Sequence, residues 1–245
     1  MRRAEEQVTD GRGIRRCGLK NEWGGTHRAN AACSFLFGKE SRENVRPMRY
    51  DWEESEAMGM KRILETGRLM LREMTPDDFD ALYAVLADAD IMQHYPYAFD
   101  EARVRGWIER NMERYRKDGF GLWAVILKKT GEMIGDCGLT LQRIDGELLP
   151  EIGYHIRRDC QRRGYASEAG RAVRDWAFDH TAYDCLYSYM KYTNVPSYAT
   201  AMAMGMKKIK QYPDAQNGVT FVFGMSREEW QRLKGRPETG APDAR

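Results

Sequence analysis

The sequence contains few cysteines, and their spacing matches no metal site. Its five cysteines form no Cys-x-x-Cys pair and lie far apart, at Cys17, Cys33, Cys137, Cys160 and Cys185. Structural zinc sites need ligands at short, regular spacing, and disulfide frameworks of small secreted domains use an even and denser set. The sequence therefore predicts no metal and reduced thiols, as in a cytoplasmic protein.

Long hydrophobic runs are also missing. The longest clear apolar run, AACSFLF from Ala31, is far shorter than the roughly 20 residues that span a bilayer, and it lies too deep in the chain for a signal peptide. The formal net charge is only +2, so the chain as a whole shows no strong preference for nucleic acid. We therefore expect a cytoplasmic protein with no membrane partner.

The small net charge conceals a basic N-terminal segment. Residues 1–50 carry 11 of the 39 Lys and Arg but only 6 of the 37 Asp and Glu. No helical or strand period persists there, which predicts a poorly ordered extension over residues 1–64, one domain over 65–230 and a flexible tail over 231–245. Two alternatives stay open for the extension: translation from an upstream start codon, or a basic arm that tethers the protein to RNA, the ribosome or a membrane surface.

From Arg68 onward the hydrophobic periodicity is clear. Alternating apolar residues predict strands, and apolar residues at intervals of three and four predict helices. A first helix is expected after Thr75 and Pro76, because Thr is a frequent N-cap and Pro is favoured in the first helical turn. The predicted element order is βααβββαβαββ, with about seven strands and four helices, which is typical of one mixed α/β domain.

The stretch CQRRGYASEAG, residues 160–170, places basic residues and a glycine before a predicted helix. The first amide groups of a helix lack intrahelical partners and lie at the positive end of its dipole, so they suit an anion. Gly164 permits close approach of the backbone, and Arg162 and Arg163 add positive charge. Neither GxxxxGK[ST] nor GxGxxG is present, so any phosphate site here is of another type. An ordinary arginine-rich helix start is the alternative.

A longer stretch around this loop, Glu151–Ala169, resembles the acyl-CoA-binding core of the GNAT acetyltransferase superfamily. It is most similar to the branch of ribosomal-protein N-terminal (alanine or serine) acetyltransferases. The residues in gapless register are Glu151, Gly153, Tyr154, Ile156, Gln161, Gly164, Tyr165, Ala166, Glu168 and Ala169. With ETGRLMLREMTPDDFDAL, GEMIGDCGL and NVPSYATAMAMGMKK, the resemblance covers about residues 65–226. It implies a single GNAT-like α/β (α+β) domain with a mostly antiparallel sheet, with acetyl-CoA and an amine acceptor as partners; a homodimer is left open.

The resemblance also implies residues that bind acetyl-CoA. Backbone amides around Ile156 and Arg157 would meet the acetyl carbonyl and the pantetheine arm, and the loop 162–166 would take the pyrophosphate. The full implied set is Ile156, Arg157, Gln161, Arg162, Arg163, Gly164, Tyr165, Ala166 and Asn194. Arg162 stands where the family prefers glycine, so we expect the loop amides, rather than this side chain, to bind the phosphates.

Acetyl transfer from a thioester to an amine needs an unprotonated amine, a stabilised oxyanion and a proton for the departing thiolate. Glu151 begins a central strand and is the expected base, acting through a water molecule, with His155 on the same strand face as a second candidate. The tyrosine that many GNAT enzymes use as general acid is Ala201 here. Ser197 is therefore the expected acid, with Tyr198 or water as alternatives.

Three other functions stay open. The first is a non-catalytic domain that binds acyl-CoA as a sensor. The second is an RNA- or ribosome-binding protein that acts through its basic extension. The third is an acetyltransferase that works through a covalent acetyl-cysteine on Cys137 or Cys160, with His155 as the base. The acceptor amine is open as well: protein N-termini, aminoglycosides, polyamines and small metabolites all fit. The segment 95–107 is expected to line the acceptor groove.

Overall fold

The computed structural model describes residues 61–235. Eight strands form one sheet, with bounds β1 Arg62–Glu65, β2 Leu69–Arg72, β3 Leu122–Leu127, β4 Met133–Ile144, β5 Glu147–Ile156, β6 Cys185–Lys191, β7 Lys207–Asp214 and β8 Gly218–Ser226. The five α-helices are α1 Phe79–Leu86, α2 Glu101–Lys117, α3 Tyr165–His180, α4 Val195–Ala203 and α5 Arg227–Lys234. No helix among these residues is both long and apolar enough to cross a membrane.

The predicted fold class is confirmed, with one strand and one helix more than expected. The added strand, β1, begins at Arg62, within the last residues of the predicted extension, and the added helix, α5, overlaps the start of the predicted tail. The helix opens with a capping box between Ser226 and Glu229, a signal that is readable as S-x-x-E in the sequence. The rest of the predicted extension, residues 1–60, lies outside the described residues, as does most of the tail.

The strand order in the sheet is β1-β2-β3-β4-β5-β6-β8-β7. Neighbouring strands are antiparallel except β5 and β6, which run parallel and share the register pair Glu151 and Tyr187. The ladder between β4 and β5 continues to Ile156. Because β5 stays paired with β4 beyond its contact with β6, the two parallel strands separate toward their carboxyl ends and leave a cleft in the sheet.

Helices cover both faces of the sheet, and the alternation within β3 shows how. Leu122, Ala124 and Ile126 pack into a core with residues of α1 and α2. Trp123 and Val125, between them in sequence, pack into a second core with residues of α3 and α4. Successive strand side chains point to opposite faces, so one strand serves both cores. The middle of the sheet around β3 is therefore buried on both sides.

The predicted start of the first helix is confirmed and is held by a buried ion pair. Pro76 opens a 3₁₀ turn that leads into α1. Both terminal nitrogens of Arg72 donate to the carboxylate of Asp78, at 2.7 and 2.6 Å. The same carboxylate accepts the backbone N–H of Thr75 at 2.8 Å. A charged pair inside the fold, with an additional hydrogen bond, fixes where the chain turns from β2 into the helix.

Candidate active site

Two cavities meet where β5 and β6 separate. The larger, of about 700 Å³, lies between the loop that follows β5 and the start of α4. The smaller, of about 170 Å³, lies between β5, β6 and the turn that joins β7 to β8. The residues that line both cavities are His94, Tyr95, Tyr154, His155, Asn194 and Ser197. The arrangement can hold two different molecules whose ends meet at these six residues.

Most of the residues predicted to bind acetyl-CoA line the larger cavity. They are Ile156, Gln161, Arg162, Gly164, Tyr165, Ala166 and Asn194. The side chain of Arg157 is placed differently, because its guanidinium pairs with Asp159 at 2.7 and 3.0 Å. The backbone carbonyl of Arg163 accepts from Arg68 at 3.0 Å. Of the three predicted arginines, Arg162 is therefore the one that lines the cavity, and the other two make contacts that hold the loop.

The loop before α3 contains two residues with left-handed backbone conformation. Gly164, directly before the helix, has a φ of 78°, and Arg162 has a φ of 58°. A side chain in this region costs about 1–2 kcal/mol, a cost that glycine avoids. This cost is a physical reason why the family that the sequence resembles prefers glycine at the position that Arg162 occupies here. Backbone turns of this kind direct successive N–H groups into one concave site that suits an anion.

An ion pair that the sequence did not reveal fastens this loop to the start of the sheet. Glu168, in the first turn of α3, accepts from Thr66 Oγ1 at 2.6 Å, from the backbone N–H of Arg68 at 2.9 Å and from Arg68 Nε at 2.6 Å. The Arg68 guanidinium also lies 4.5 Å from the centre of the Tyr165 ring. The segment between β1 and β2 therefore positions the helix end that is predicted to meet the pyrophosphate.

The end of β5 directs one backbone amide toward the cleft. The N–H of Arg157 donates to the carbonyl of Ile134 on β4 at 2.7 Å. In an antiparallel pair, alternate residues direct their amides toward the neighbouring strand and away from it, so the amide of Ile156 faces the cleft. This corrects the prediction for Arg157, whose N–H is already used within the sheet. Gln161 Nε2 donates to the carbonyl of Ile156 at 2.9 Å and so positions this strand end.

Glu151, the predicted base, lines the smaller cavity. It lies on the same face of β5 as Gly153 and His155, as strand alternation predicts, and Thr140 Oγ1 donates to Glu151 Oε2 at 3.0 Å. Burial raises the pKa of Glu151 to about 7, and the hydrogen bond from Thr140 opposes the shift. A carboxyl group with this pKa is about half ionised at neutral pH, the range in which a general base is effective.

His155 belongs to a chain of hydrogen bonds. Its Nδ1 lies 2.7 Å from Asp136 Oδ1, and its Nε2 lies 2.9 Å from the hydroxyl of Tyr95. Trp107 Nε1 donates to the other oxygen of Asp136 at 2.9 Å. Burial alone would lower the pKa of His155, but the charge and hydrogen bond of Asp136 outweigh it, so the pKa is raised. The sequence alone did not predict a role for Asp136, because its contact with His155 depends on the pairing of β4 with β5.

The predicted acid, Ser197, lies in the first turn of α4. Asn194 caps this helix, and its Oδ1 accepts the backbone N–H of Ser197 at 3.2 Å. The Tyr154 hydroxyl donates to the Ser197 carbonyl at 2.7 Å and lies 3.2 Å from Ser197 Oγ. The alternative acid, Tyr198, lines a different groove and stacks on Phe223 with ring centres 6.1 Å apart. Ser197 is therefore at the meeting point of the two cavities, and Tyr198 is not.

Neither Cys137 nor Cys160 forms a nucleophile–base pair with His155. Cys137 is buried on the sheet face opposite His155, and burial raises the pKa of its thiol well above its ordinary value. Cys160 lines the larger cavity, and burial raises the pKa of this thiol too. Both ring nitrogens of His155 are already engaged by Asp136 and Tyr95. Within residues 61–235, no three His, Cys, Asp or Glu side chains come together to hold a metal ion.

Comparison with known proteins identifies the fold and the chemistry. Residues 68–207 match the family model described as an acetyltransferase (GNAT) domain. The chain belongs to the GNAT acetyltransferase family. It is an acetyl-CoA-dependent acetyltransferase, and the acceptors of this family are amines. The larger cavity, with its loop and helix start, supplies the residues expected to bind the coenzyme A portion of this substrate.

Individual relatives and solved structures are similar to this chain over more than half of its length. The uncharacterized protein YkkB of Bacillus subtilis is 33% identical over 150 residues, which cover 61% of this chain and 87% of YkkB. The crystal structure of an acetyltransferase from Agrobacterium tumefaciens is 26% identical, covers 76% of this chain and 99% of its own, and has a TM-score of 0.59. RimL, the ribosomal L7/L12 α-N-protein acetyltransferase solved with coenzyme A, shares the fold at 16% identity and a TM-score of 0.59, covering 69% of this chain and 99% of its own.

Proposed function

We propose that this enzyme acetylates a primary amine, on a small molecule or a protein N-terminus, by direct transfer with both substrates bound together. The observation that carries the proposal is the meeting of two separate cavities, with Glu151 in the smaller one. In direct transfer the acetyl group passes from one bound molecule to another, so each needs a site and the two sites must touch.

Acetyl-CoA occupies the larger cavity in this proposal. Its pyrophosphate meets the first amides of α3 and the left-handed loop at Gly164, where the helix dipole favours negative charge. The pantetheine arm then runs along the cleft past Asn194. The amide of Ile156, which faces the cleft, donates to the acetyl carbonyl. A donor held at this position stabilises the oxyanion that forms when the amine attacks.

The acceptor amine occupies the smaller cavity. Glu151 takes a proton from the ammonium form, directly or through water, and so exposes the nitrogen lone pair. Polar side chains of Gln142, Gln216 and Asn217 line the same cavity and can hydrogen-bond an acceptor that carries further polar groups. At about 170 Å³ the cavity admits a small amine or the first residue of a peptide, and the bulk of a larger acceptor would stay outside.

A thiol-release assay with acetyl-CoA tests the proposal. The panel contains peptides with different N-terminal residues, aminoglycosides, polyamines and amino acids. We expect release above the rate without acceptor for a subset of the panel, with one N-acetylated product per thiol in mass spectrometry. Calorimetric binding of acetyl-CoA without transfer to any acceptor would instead favour the non-catalytic sensor.

A further inference from the structure

We infer that Tyr95, rather than Ser197, donates the proton to the departing thiolate, and that Asp136 and His155 position Tyr95 and resupply its proton. The inference rests on the proposed function. Tyr95 lines both cavities, so its hydroxyl lies near the point where the thioester and the amine meet. That hydroxyl is 2.9 Å from His155 Nε2, and His155 Nδ1 is 2.7 Å from the buried carboxylate of Asp136.

The partners of Asp136 fix the arrangement of hydrogens. Trp107 Nε1 carries a hydrogen in every state and donates to one carboxylate oxygen. The other oxygen faces His155 Nδ1. This nitrogen must carry a hydrogen, because without one its lone pair would point at a lone pair of the carboxylate oxygen. The proton of His155 that can be exchanged is therefore the one on Nε2, next to Tyr95.

The state of Nε2 determines where the Tyr95 hydrogen points. When His155 is protonated, both ring nitrogens donate, and Nε2–H donates to the Tyr95 oxygen. Tyr95 then has to direct its own hydrogen away from the ring, toward the space that the two cavities share. When His155 is neutral, Nε2 accepts from Tyr95 instead. The ring can thus pass one proton to Tyr95 without moving.

The proposed step balances with the groups present. The neutral amine nitrogen forms a bond to the acetyl carbon and the carbon–sulfur bond breaks. The proton that this nitrogen still has to lose leaves through Glu151, which has by then passed the first ammonium proton to solvent and passes this one to solvent as well. The sulfur takes the hydroxyl proton of Tyr95, while the Tyr95 oxygen takes the proton from His155 Nε2. His155 is left neutral and regains a proton from solvent before the next turnover. No oxidant, reductant or further reactant is required.

Ser197 lacks a proton that points toward the thiolate. The single hydroxyl hydrogen of Tyr154 is used in its 2.7 Å bond to the Ser197 carbonyl. In the 3.2 Å contact between the two hydroxyls, Ser197 must then be the donor, so its hydrogen points at Tyr154. Among the described residues, no charged side chain is hydrogen-bonded to either hydroxyl, whereas His155 is hydrogen-bonded to Tyr95.

Charged and titratable groups face His155 from every side of its site. Asp136 approaches from β4, Glu151 from β5 and Tyr95 from the segment after α1. Trp107, from α2, is uncharged and packs edge-on against the His155 ring. The carboxylates favour the protonated ring that the step requires. The rate should consequently fall at high pH, where His155 loses its proton.

The test compares Tyr95→Phe with the matched control Tyr97→Phe. Tyr97 lies two residues further along, packs against the guanidinium of Arg103 at 5.0 Å and lines neither cavity. With acetyl-CoA and the fastest acceptor of the panel, Tyr95→Phe should lower kcat about 100-fold, as expected for loss of a general acid. Its dissociation constant for acetyl-CoA should stay within about two-fold of wild type, and the control should retain wild-type kcat.

A pH profile gives a second readout that a structural role would not change. In wild type, kcat should decline on the alkaline side, and His155→Gln should remove that decline along with most of the activity. A wild type that is inactive toward every amine would overturn the proposed function itself. An active wild type with kcat within about two-fold in Tyr95→Phe, or an alkaline decline that persists in His155→Gln, would overturn the role of Tyr95 alone.

Discussion

Replacement of Glu151 by Gln removes the proposed base while preserving the length of the side chain and a partner for Thr140, whose hydroxyl lies 3.0 Å from the carboxylate. The pKa of Glu151 is about 7. Its ionised fraction therefore rises from about one tenth at pH 6 to about nine tenths at pH 8, so wild-type kcat should rise about ten-fold over the part of this range in which His155 keeps its proton. Glu151→Gln should lose this rise, and its kcat at pH 8 should fall about 100-fold or more.

The same substitution should stabilise the fold. Burial raises the pKa of Glu151 from 4.5 to about 7, so the unfolded chain loses this proton first as the pH increases. The free energy of unfolding of wild type therefore decreases between these two values and then levels off. A shift of this size corresponds to at most about 3 kcal/mol. Glu151→Gln escapes this loss, so it should be about 1–3 kcal/mol more stable than wild type at pH 8 and equal to it at pH 4.

Two assays check these expectations together. Steady-state thiol release between pH 6 and pH 8 gives kcat, and chemical denaturation at pH 4, 6 and 8 gives the free energy of unfolding. Glu147→Gln is the control, because this carboxylate is exposed on the same strand. Glu151 is not the base if Glu151→Gln retains kcat and its rise with pH. Its raised pKa is refuted if that variant is less stable than wild type at pH 8.

Other variants test the cofactor loop and the fold. Arg68→Ala removes the guanidinium bonds to Glu168 but keeps the bond from the backbone N–H. It should weaken acetyl-CoA binding about ten-fold in calorimetry, with kcat at saturation within about two-fold of wild type; unchanged affinity would contradict the positioning role. Arg162→Ala should leave acetyl-CoA affinity unchanged while Gly164→Val abolishes binding, and the reverse result would show that the Arg162 side chain, not the backbone, binds the phosphates. Asp78→Ala leaves Arg72 buried without its carboxylate and should cost about 3–5 kcal/mol in denaturation; a cost under about 1 kcal/mol would show that the site rehydrates.

The parts of the fold that depend on local signals could be predicted from the sequence. Apolar periodicity located most of the strands and helices, and Thr75 with Pro76 marked the start of the first helix. Strand alternation placed Glu151 and His155 on one face. Short elements were missed, because the four residues of β1 carry too little periodicity to stand out.

Contacts between distant parts of the chain could not be predicted, because no local pattern encodes them. Glu168 meets Arg68 across 100 residues, and Asp136 meets His155 across 19, through the register of two strands. The amide of Arg157 appeared suited to the acetyl group until its partner on β4 was known. Tyr95, the proposed acid, was missed for the same reason, since its contact with His155 joins residues 60 positions apart in the sequence.

Initial rates with both substrates varied test direct transfer most directly. If the amine attacks acetyl-CoA while both are bound, double-reciprocal plots at several fixed acceptor concentrations give lines that intersect. A covalent acetyl-enzyme gives parallel lines and an acetylated residue that mass spectrometry detects without acceptor. Direct transfer predicts intersecting lines and an unmodified protein; parallel lines with an acetyl group on Cys160 would contradict it.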